Sequence, residues 1–186
     1  MAVKRLLMTL CIAASGLHAM AQAQETAPLP PVTTIASLDI QRYMGAWYEI
    51  AKFPNRFQRK CVANTRAHYL AQTDGRVQVL NSCVTAEGET IDALGKAQQV
   101  GSATSAKLKV RFAPAWLSWL PMVWGDYWVI DLDPDYQLAA VSDAKREYLW
   151  VLSRTPQVNP KAYDALLDRL KAQSFDVQKL ERTTQR

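Results

Sequence analysis

Two residues far apart in the chain, Trp47 and Arg154, have side chains that attract each other. The face of an indole ring attracts a guanidinium by about 0.5–2 kcal/mol, and the guanidinium still has donors for nearby backbone carbonyls. If an even number of strands runs up and down, Trp47 at the start of the first strand meets Arg154 at the end of the last. We therefore predict a structural pair, with Gly45 beside it, at the floor of a barrel.

The side chains that catalysis would need are sparse. Acyl transfer requires a nucleophile with a base beside it, and beyond the N-terminal region His68 is the only histidine. No His or Met residues expected to face inward have the spacing of a haem or metal site. We therefore expect a protein that is not an enzyme, with no catalytic residue, no metal and no cofactor.

The first residues have the pattern of an export signal. Lys4 and Arg5 precede an apolar run from Leu6 to Leu17, and small residues suited to cleavage end at Ala21 and Ala23. A membrane anchor is the alternative, but a span needs about 20 apolar residues. Lipoprotein processing at Cys11 is a second alternative, although this residue lies within the apolar run.

The remaining chain reads as one domain. We predict a signal peptide over 1–21 with cleavage after 21 or 23, a flexible Pro-rich leader over 22–34 and a folded domain over 35–186. Without Lys4 and Arg5 the remaining chain has 20 basic and 17 acidic residues, a net charge of +3, which is too mild and too scattered for a nucleic-acid partner.

Cys61 and Cys83 form the one cysteine pair of the predicted mature chain. In an oxidising compartment such a pair favours a disulfide, worth about 3 kcal/mol for a loop of this length. A tight turn at Asp74-Gly75 would place Cys83 opposite Arg66 and about 16 Å from Cys61 along a straight strand. A bridge needs Cα atoms within about 7 Å, so the segment before Val62 must curl back. Two unpaired thiols are the alternative.

Eight short segments alternate apolar and polar residues and are separated by turn residues. They cover Ala46–Phe53, Val62–Ala71, Arg76–Cys83, Glu89–Gln98, Lys107–Phe112, Tyr127–Leu132, Tyr136–Ser142 and Glu147–Ser153. Short strands with tight connections favour an up-and-down barrel over a sandwich, and eight strands can enclose one small ligand. We predict an all-β fold: an eight-stranded up-and-down antiparallel barrel, or calyx.

Two helical elements accompany the barrel. Ser37 is a plausible N-cap for a short N-terminal helical turn that reaches Met44. Asn159 and Pro160 begin a C-terminal helix whose apolar stripe must pack against the outside of the barrel. The alternation from Phe175 to Leu180 is typical of a short final strand.

Three motifs resemble the lipocalin family, specifically its bacterial outer-membrane members and the apolipoprotein D-like branch. They are Tyr43–Ala51, which contains Gly-Ala-Trp, the segment Tyr127–Tyr136, and Tyr148–Pro156, which contains Ser-Arg-Thr-Pro. The likeness runs from about Ile35 to Thr183. The family's Thr-Asp-Tyr appears here as Leu-Asp-Pro-Asp-Tyr, which affects the geometry of that turn and not the fold. The resemblance implies binding of a small hydrophobic ligand.

The strand period decides which side chains face the interior. If the Trp47 side chain faces inward, those of Glu49, Ala51 and Phe53 also face inward. If Arg154 faces inward, Trp150 lies on the same face. An inward carboxyl without a partner is costly, so Glu49 should meet a ligand, a water or a buried cation.

The other strands are assigned partly by resemblance. It supports Thr65, Ala67 and Tyr69 inside, with Arg66 and His68 outside. In the sixth strand both faces are apolar, and the choice between Tyr127/Val129 and Trp128/Ile130 stays open. The resemblance points to Tyr43, Tyr69, Asn81 and Trp150 as ligand-binding residues. The other predicted ligand-binding residues are Glu49, Ala67, Val79, Val110 and Trp128.

The connection from Pro114 to Trp124 is unusually apolar for a loop. It carries Trp116, Trp119 and Trp124, and tryptophan favours a membrane interface. Membrane docking, a lid over the cavity and a dimer contact are the three interpretations of this loop.

These patterns predict reversible binding of a fatty acid or lysophospholipid, in a monomer or weak homodimer with peripheral membrane contact. The expected location is the periplasm, with association to the outer membrane as one option. The bacterial relatives imply lipid storage or transport under envelope stress. The alternatives are an envelope interaction module that docks through the Trp-rich loop, and an isomerase that uses an inward cysteine.

Overall fold

The computed structural model describes residues 28–114, 117–118 and 120–186. The predicted signal peptide over 1–21 and its cleavage sites lie outside the described residues. Within the described part of the chain, no helix is both long and apolar enough to cross a membrane.

The predicted barrel is confirmed. Its eight strands are β1 Gly45–Lys52, β2 Ala63–Ala71, β3 Val77–Val84, β4 Thr90–Gln99, β5 Lys107–Arg111, β6 Gly125–Leu132, β7 Leu138–Ser142 and β8 Leu149–Ser153. Each strand pairs antiparallel with the next, and β1 pairs with β8, so the sheet closes on itself. Closure leaves the main strands without long exposed edges.

A ninth strand, β9 Glu181–Arg182, adds to β1 beside its pairing with β8. The prediction of a strand over Phe175–Leu180 is therefore wrong in position. Phe175 is instead buried against the outer wall, and a 3-10 turn at Val177–Lys179 directs the chain to β1.

The two helices lie at different places on the barrel. α1 Ile40–Tyr43 precedes β1, and its N-cap is Asp39 rather than the predicted Ser37, because the Asp39 carboxylate accepts from the amides of Gln41 and Arg42. α2 Pro160–Ala172 begins as predicted, since the Asn159 side chain accepts from the amide of Ala162.

Buried residues form two cores separated by the barrel wall. The inner core lies inside the barrel and includes Tyr43, Trp47, Tyr69 and Leu152. The outer core lies between the wall and α2, where Leu166 and Leu170 are fully buried against strand residues that face outward. The apolar stripe of α2 therefore packs where the sequence predicts.

The described part of the predicted flexible leader is packed against the protein. Val32 is 5% exposed in the outer core, and the Pro30 carbonyl accepts from the Arg146 guanidinium at 2.8 Å. The amide of Ile35 donates to the Val129 carbonyl at 3.1 Å. Residues 30–34 thus lie along the outer wall, hydrogen-bonded to it at Pro30 and buried against it at Val32.

Candidate functional site

Arg154 lies across the closed end of the barrel, under Trp47. Its guanidinium carbon is 4.0 Å from the centroid of the indole ring, and its N–H groups donate to four backbone carbonyls at 2.7–3.2 Å. The acceptors belong to Arg42, Met44, Ala46 and Tyr136. Gly45 has a φ of +92°, and a Cβ there would lie 3.4 Å from Arg154 Nη1. The structure thus brings the three predicted floor residues together.

Three tyrosines stand above this floor inside the barrel. Tyr43 comes from α1, Tyr69 from the end of β2 and Tyr127 from β6. The Tyr127 hydroxyl lies 2.9 Å from the hydroxyl of Tyr43 and 2.9 Å from that of Tyr69. Burial raises the pKa of Tyr69 to about 12 and the pKa of the other two phenols well above their usual range. All three therefore stay protonated at neutral pH.

The wall above the tyrosines is largely apolar and faces inward as predicted. Ala67 and Val79 are buried in the inner core. Asn81 pairs with Ala67 across β2 and β3 and is half-buried, as is Val110 on β5. Because these inward side chains near the open end retain accessible surface, the upper part of the interior is open to solvent.

Phe112 extends the wall beyond the end of β5. A Cβ at Gly95, on β4, would lie 2.7 Å from the Phe112 ring and 2.9 Å from the Arg111 carbonyl oxygen. Glycine is therefore needed where the ring crosses the inner face of β4. The sequence predicts Phe112 as the end of a strand, but no pattern in it indicates the contact with Gly95.

Glu49 lies inside the barrel, 2% exposed, and both of its carboxyl oxygens have partners. One accepts from the Thr183 hydroxyl at 2.5 Å and the other from the side-chain amide of Gln58. Gln58 Oε1 in turn accepts from Trp150 Nε1 at 3.0 Å. Burial raises the pKa of Glu49, while these hydrogen bonds and Lys52 oppose the shift. The predicted lone carboxyl is thus already partnered by the protein.

The partners of Glu49 include a segment that the sequence analysis did not assign. The C-terminal segment, residues 181–186, lies between β1 and β2 where these strands diverge. The amide of Thr183 donates to the Ile50 carbonyl, and the amide of Asn64 donates to the Thr184 carbonyl. The Gln185 side chain donates to the carbonyls of β1 and β2, at 2.8 Å each. This segment closes the gap in the wall.

The structure corrects the predicted orientation of Ala51 and Phe53, because of a β-bulge, and decides the orientation that the sequence left open in β6. The register of β1 against β8 shifts between Glu49 and Ala51, so Ala51 and Phe53 join the outer core instead of facing inward. In β6, Tyr127 faces inward and Trp128 faces outward, where Lys107 lies 4.3 Å from its ring centroid. Trp128 is therefore removed from the predicted ligand-binding residues.

The predicted disulfide is present at the open end. Cys61 and Cys83 are bonded, with Cα atoms 5.5 Å apart. The chain curls back through the 3-10 turn Arg56–Gln58, and the register of β2 shifts between Ala63 and Arg66, so that Arg66 pairs with Ser82 rather than Cys83. These two departures from a straight strand remove the separation that the sequence predicted.

The open rim exposes large apolar side chains. Phe57 is 62% exposed and Met122 84% exposed, in two connections at this end of the barrel. Trp116 and Trp119 lie outside the described residues. Trp124 is half-buried, donates to the Ser118 carbonyl at 2.9 Å, and has the Arg111 guanidinium 5.2 Å from its ring centroid.

The described residues hold no group of three or more His, Cys, Asp or Glu side chains placed to bind a metal ion. Cys61 and Cys83 are engaged with each other, and His68 is exposed on the outer wall. The site that remains is the interior of the barrel, with phenols at its base, an apolar wall and a polar group at Glu49.

Comparisons with known proteins agree with this architecture. The family model described as a lipocalin-like domain matches residues 38–185. Temperature-induced lipocalin-1 of Arabidopsis thaliana is 42% identical over 153 residues, covering 81% of each chain. The outer membrane lipoprotein Blc of Escherichia coli strain K12 is 37% identical, covering 83% of this chain and 84% of its own.

A solved structure supports the fold independently. Insecticyanin from the tobacco hornworm Manduca sexta superposes with a TM-score of 0.65 at 20% identity, covering 84% of this chain and 85% of its own. On the extent of the family match and the identity to these relatives, the chain belongs to the lipocalin family, whose members bind small hydrophobic ligands.

Proposed function

We propose that this lipocalin binds a single-chain lipid, a fatty acid or lysophospholipid, and carries or stores it in the bacterial cell envelope. The observation that supports this most directly is the interior, which is closed at one end by Arg154 and Trp47, apolar along the wall and accessible at the other end. Such a space suits an amphipathic molecule whose polar end stays at the mouth.

The expected affinity follows from the apolar surface of one acyl chain. About ten buried methylenes contribute roughly 8 kcal/mol before ordering costs. This corresponds to a dissociation constant of about 1 μM before those costs and a larger one after them, which allows release to an acceptor membrane.

The envelope assignment is supported by the printed names of relatives. The bacterial relatives are named as outer membrane lipoproteins, and the plant relative is named as temperature-induced. We extend both to this chain as part of the proposal: an envelope location and a role in maintaining membranes under stress.

A matched pair of variants tests the site. Ala67 faces the interior and its neighbour His68 faces outward. Ala67→Trp fills the interior and should weaken the binding of a fluorescent fatty acid at least tenfold, whereas His68→Trp should leave it unchanged. Titration of the purified variants, with mass spectrometry of retained lipid, measures both. Equal affinities in the two variants, or no binding by the wild-type protein, contradict the proposal.

The exposed rim favours a second role, docking on a membrane surface. Phe57 is flanked by Arg56, Arg59 and Lys60, and Met122 projects from the Trp-rich loop. Apolar tips beside basic side chains fit an anionic bilayer surface. This docking would bring the mouth of the barrel to the lipid.

Vesicle co-sedimentation tests the rim. Phe57→Ser combined with Met122→Ser should reduce binding to phosphatidylglycerol-containing vesicles. Leu94→Ser is the control, because Leu94 is 63% exposed on the outer wall away from the rim. Unchanged binding in the double variant would show that the rim makes no membrane contact and would favour the lid or dimer interpretation.

A further inference from the structure

The three tyrosines form a polar cluster at the base of an otherwise apolar space. Their hydroxyl oxygens meet at Tyr127, with two O···O distances of 2.9 Å. Their rings also pack together, since the centroids of Tyr43 and Tyr69 are 5.7 Å apart and those of Tyr69 and Tyr127 are 6.1 Å apart. This cluster is more than core filling, because phenylalanines would fill the same space without placing hydroxyl groups there.

A count of protons shows that the cluster has an unused donor. Three phenols carry three hydroxyl protons, and each of the two hydrogen bonds between them uses one. Among the described residues the three hydroxyls make no other hydrogen bond. One proton therefore has no acceptor within the described protein, and a buried donor without an acceptor is costly.

The position of Tyr127 indicates which proton is unused. Tyr43 and Tyr69 are only 2% and 6% exposed, whereas Tyr127 is half-buried and faces the interior. If both buried phenols donate to the Tyr127 oxygen, the Tyr127 proton is directed away from them, and Tyr127 is the one member of the cluster that retains appreciable accessible surface.

We infer that the Tyr127 hydroxyl donates to an uncharged oxygen atom, a hydroxyl or carbonyl, at the buried end of the bound ligand. This inference rests on the proposed function and specifies its ligand class: an apolar chain with an oxygen at each end. One donor matches one uncharged acceptor. A carboxylate would lose its hydration at this depth and regain only one hydrogen bond.

The nearest guanidinium does not change this assignment. Arg154 lies beneath Trp47 and donates to four backbone carbonyls. Among the described residues it makes no hydrogen bond to the tyrosine cluster. The base of the space therefore offers a neutral donor rather than a cation.

The test compares hexadecanoic acid with 16-hydroxyhexadecanoic acid, which differ only by an oxygen at the inner end. In a purely apolar pocket the added hydroxyl weakens binding about tenfold or more, because it is buried without a partner. The wild-type protein should instead bind the two acids within about threefold. Displacement of a fluorescent fatty acid gives both dissociation constants.

Tyr127→Phe should weaken the binding of 16-hydroxyhexadecanoic acid about tenfold. It should change the dissociation constant of hexadecanoic acid by no more than about twofold. Tyr163→Phe is the matched control, because it removes a phenol hydroxyl that packs against the outer core, on the other side of the barrel wall. Thermal melting of both variants verifies that they are folded.

The outcomes separate this inference from the proposed function. If the wild-type protein binds hexadecanoic acid ten times more tightly than the hydroxy acid, or if Tyr127→Phe weakens both acids equally, the inference is overturned while the carrier function stands. If the wild-type protein binds neither acid, the carrier function fails and the inference fails with it.

Discussion

The closed end and the open half of the barrel are stabilised by different parts of the chain. At the closed end, Arg154 joins the last barrel strand to the turn before the first, through Trp47 and backbone carbonyls. In the open half, Glu49 is held by Gln58 from a connection and by Thr183 from the C-terminal segment. The closed end is thus stabilised by contacts between the last barrel strand and the start of the first. The open half is stabilised by segments that lie outside the eight strands.

Because of this difference, we expect substitutions at the closed end to change mainly stability and substitutions in the open half to change mainly ligand binding. The closed end has few exposed groups and one dense set of contacts, so a change there should affect the whole fold. The open half contains the half-buried residues Asn81, Val110 and Trp150, and a change there should affect ligand binding at smaller cost to folding. The predictions below test this separation.

The largest effect is expected at the closed end, for Arg154→Ala. The variant loses the cation–π contact and leaves four carbonyls without their donor, which should cost about 4 kcal/mol of unfolding free energy. The melting temperature should fall by about 10 °C. Arg169→Ala is the control, since Arg169 is 50% exposed in a surface pair with Asp131; it should cost less than about 1 kcal/mol. Equal decreases in melting temperature for Arg154→Ala and Arg169→Ala would show that the closed end is no more important for stability than a surface ion pair.

The next effect is expected at the open end, for the double variant Cys61→Ser, Cys83→Ser. Removing a cross-link between residues 22 positions apart should destabilise the protein by about 3 kcal/mol in the chain-entropy model. Denaturant unfolding measures the decrease in unfolding free energy. Titration of the folded variant with a fatty acid measures whether the ligand affinity changes. A variant as stable as the wild type would show that the bond does not contribute to the open half.

A smaller effect is expected for Thr183→Val. Loss of the hydroxyl removes one donor from the buried carboxyl of Glu49, which should cost about 1–2 kcal/mol. Thr184→Val is the matched control because Thr184 is exposed. If Thr183→Val and Thr184→Val have the same melting temperature, the C-terminal segment does not stabilise this half of the barrel.

The smallest effect is a pH dependence that Glu49 controls. Burial raises its native pKa above the usual 4.5, so folding favours the protonated form. The contribution of Glu49 to stability is then fully present below pH 4.5 and is lost as the pH rises through the native pKa. Relative to Glu49→Gln, the wild-type melting temperature should fall by a few degrees from pH 4.5 to 7. A constant difference across this range would contradict the assignment.

The sequence predicts the closed end well because the order of the strands alone brings the residues of this end together. Trp47 and Arg154 occupy the start and the end of the strand series, and closure of the barrel places them together whatever the loops do. The strand bounds likewise follow from alternation and turn residues. The predicted eight-stranded barrel with an outer helix is confirmed on this basis.

The open half is predicted less well because local periodicity does not carry through a bulge. One extra residue near Ile50 directs Ala51 and Phe53 to the outer core, and alternation alone cannot signal it. Trp128 and Tyr127 are both large and apolar enough for either face, so only the packing of α2 against the wall decides between them. Gln58 and Thr183 carry no sequence signal, because they reach Glu49 through the tertiary fold.

The placement of Thr183 has a consequence for how the molecule assembles. Glu49 and Thr183 are separated by 134 positions, and residues 183–186 follow all eight barrel strands. The pairing of the eight strands does not require this segment, which fills the seam between β1 and β2. The Glu49 carboxyl can therefore be fully enclosed only once Thr183 is in place. A chain truncated before residue 183 would have a barrel with a hydrated opening in its side.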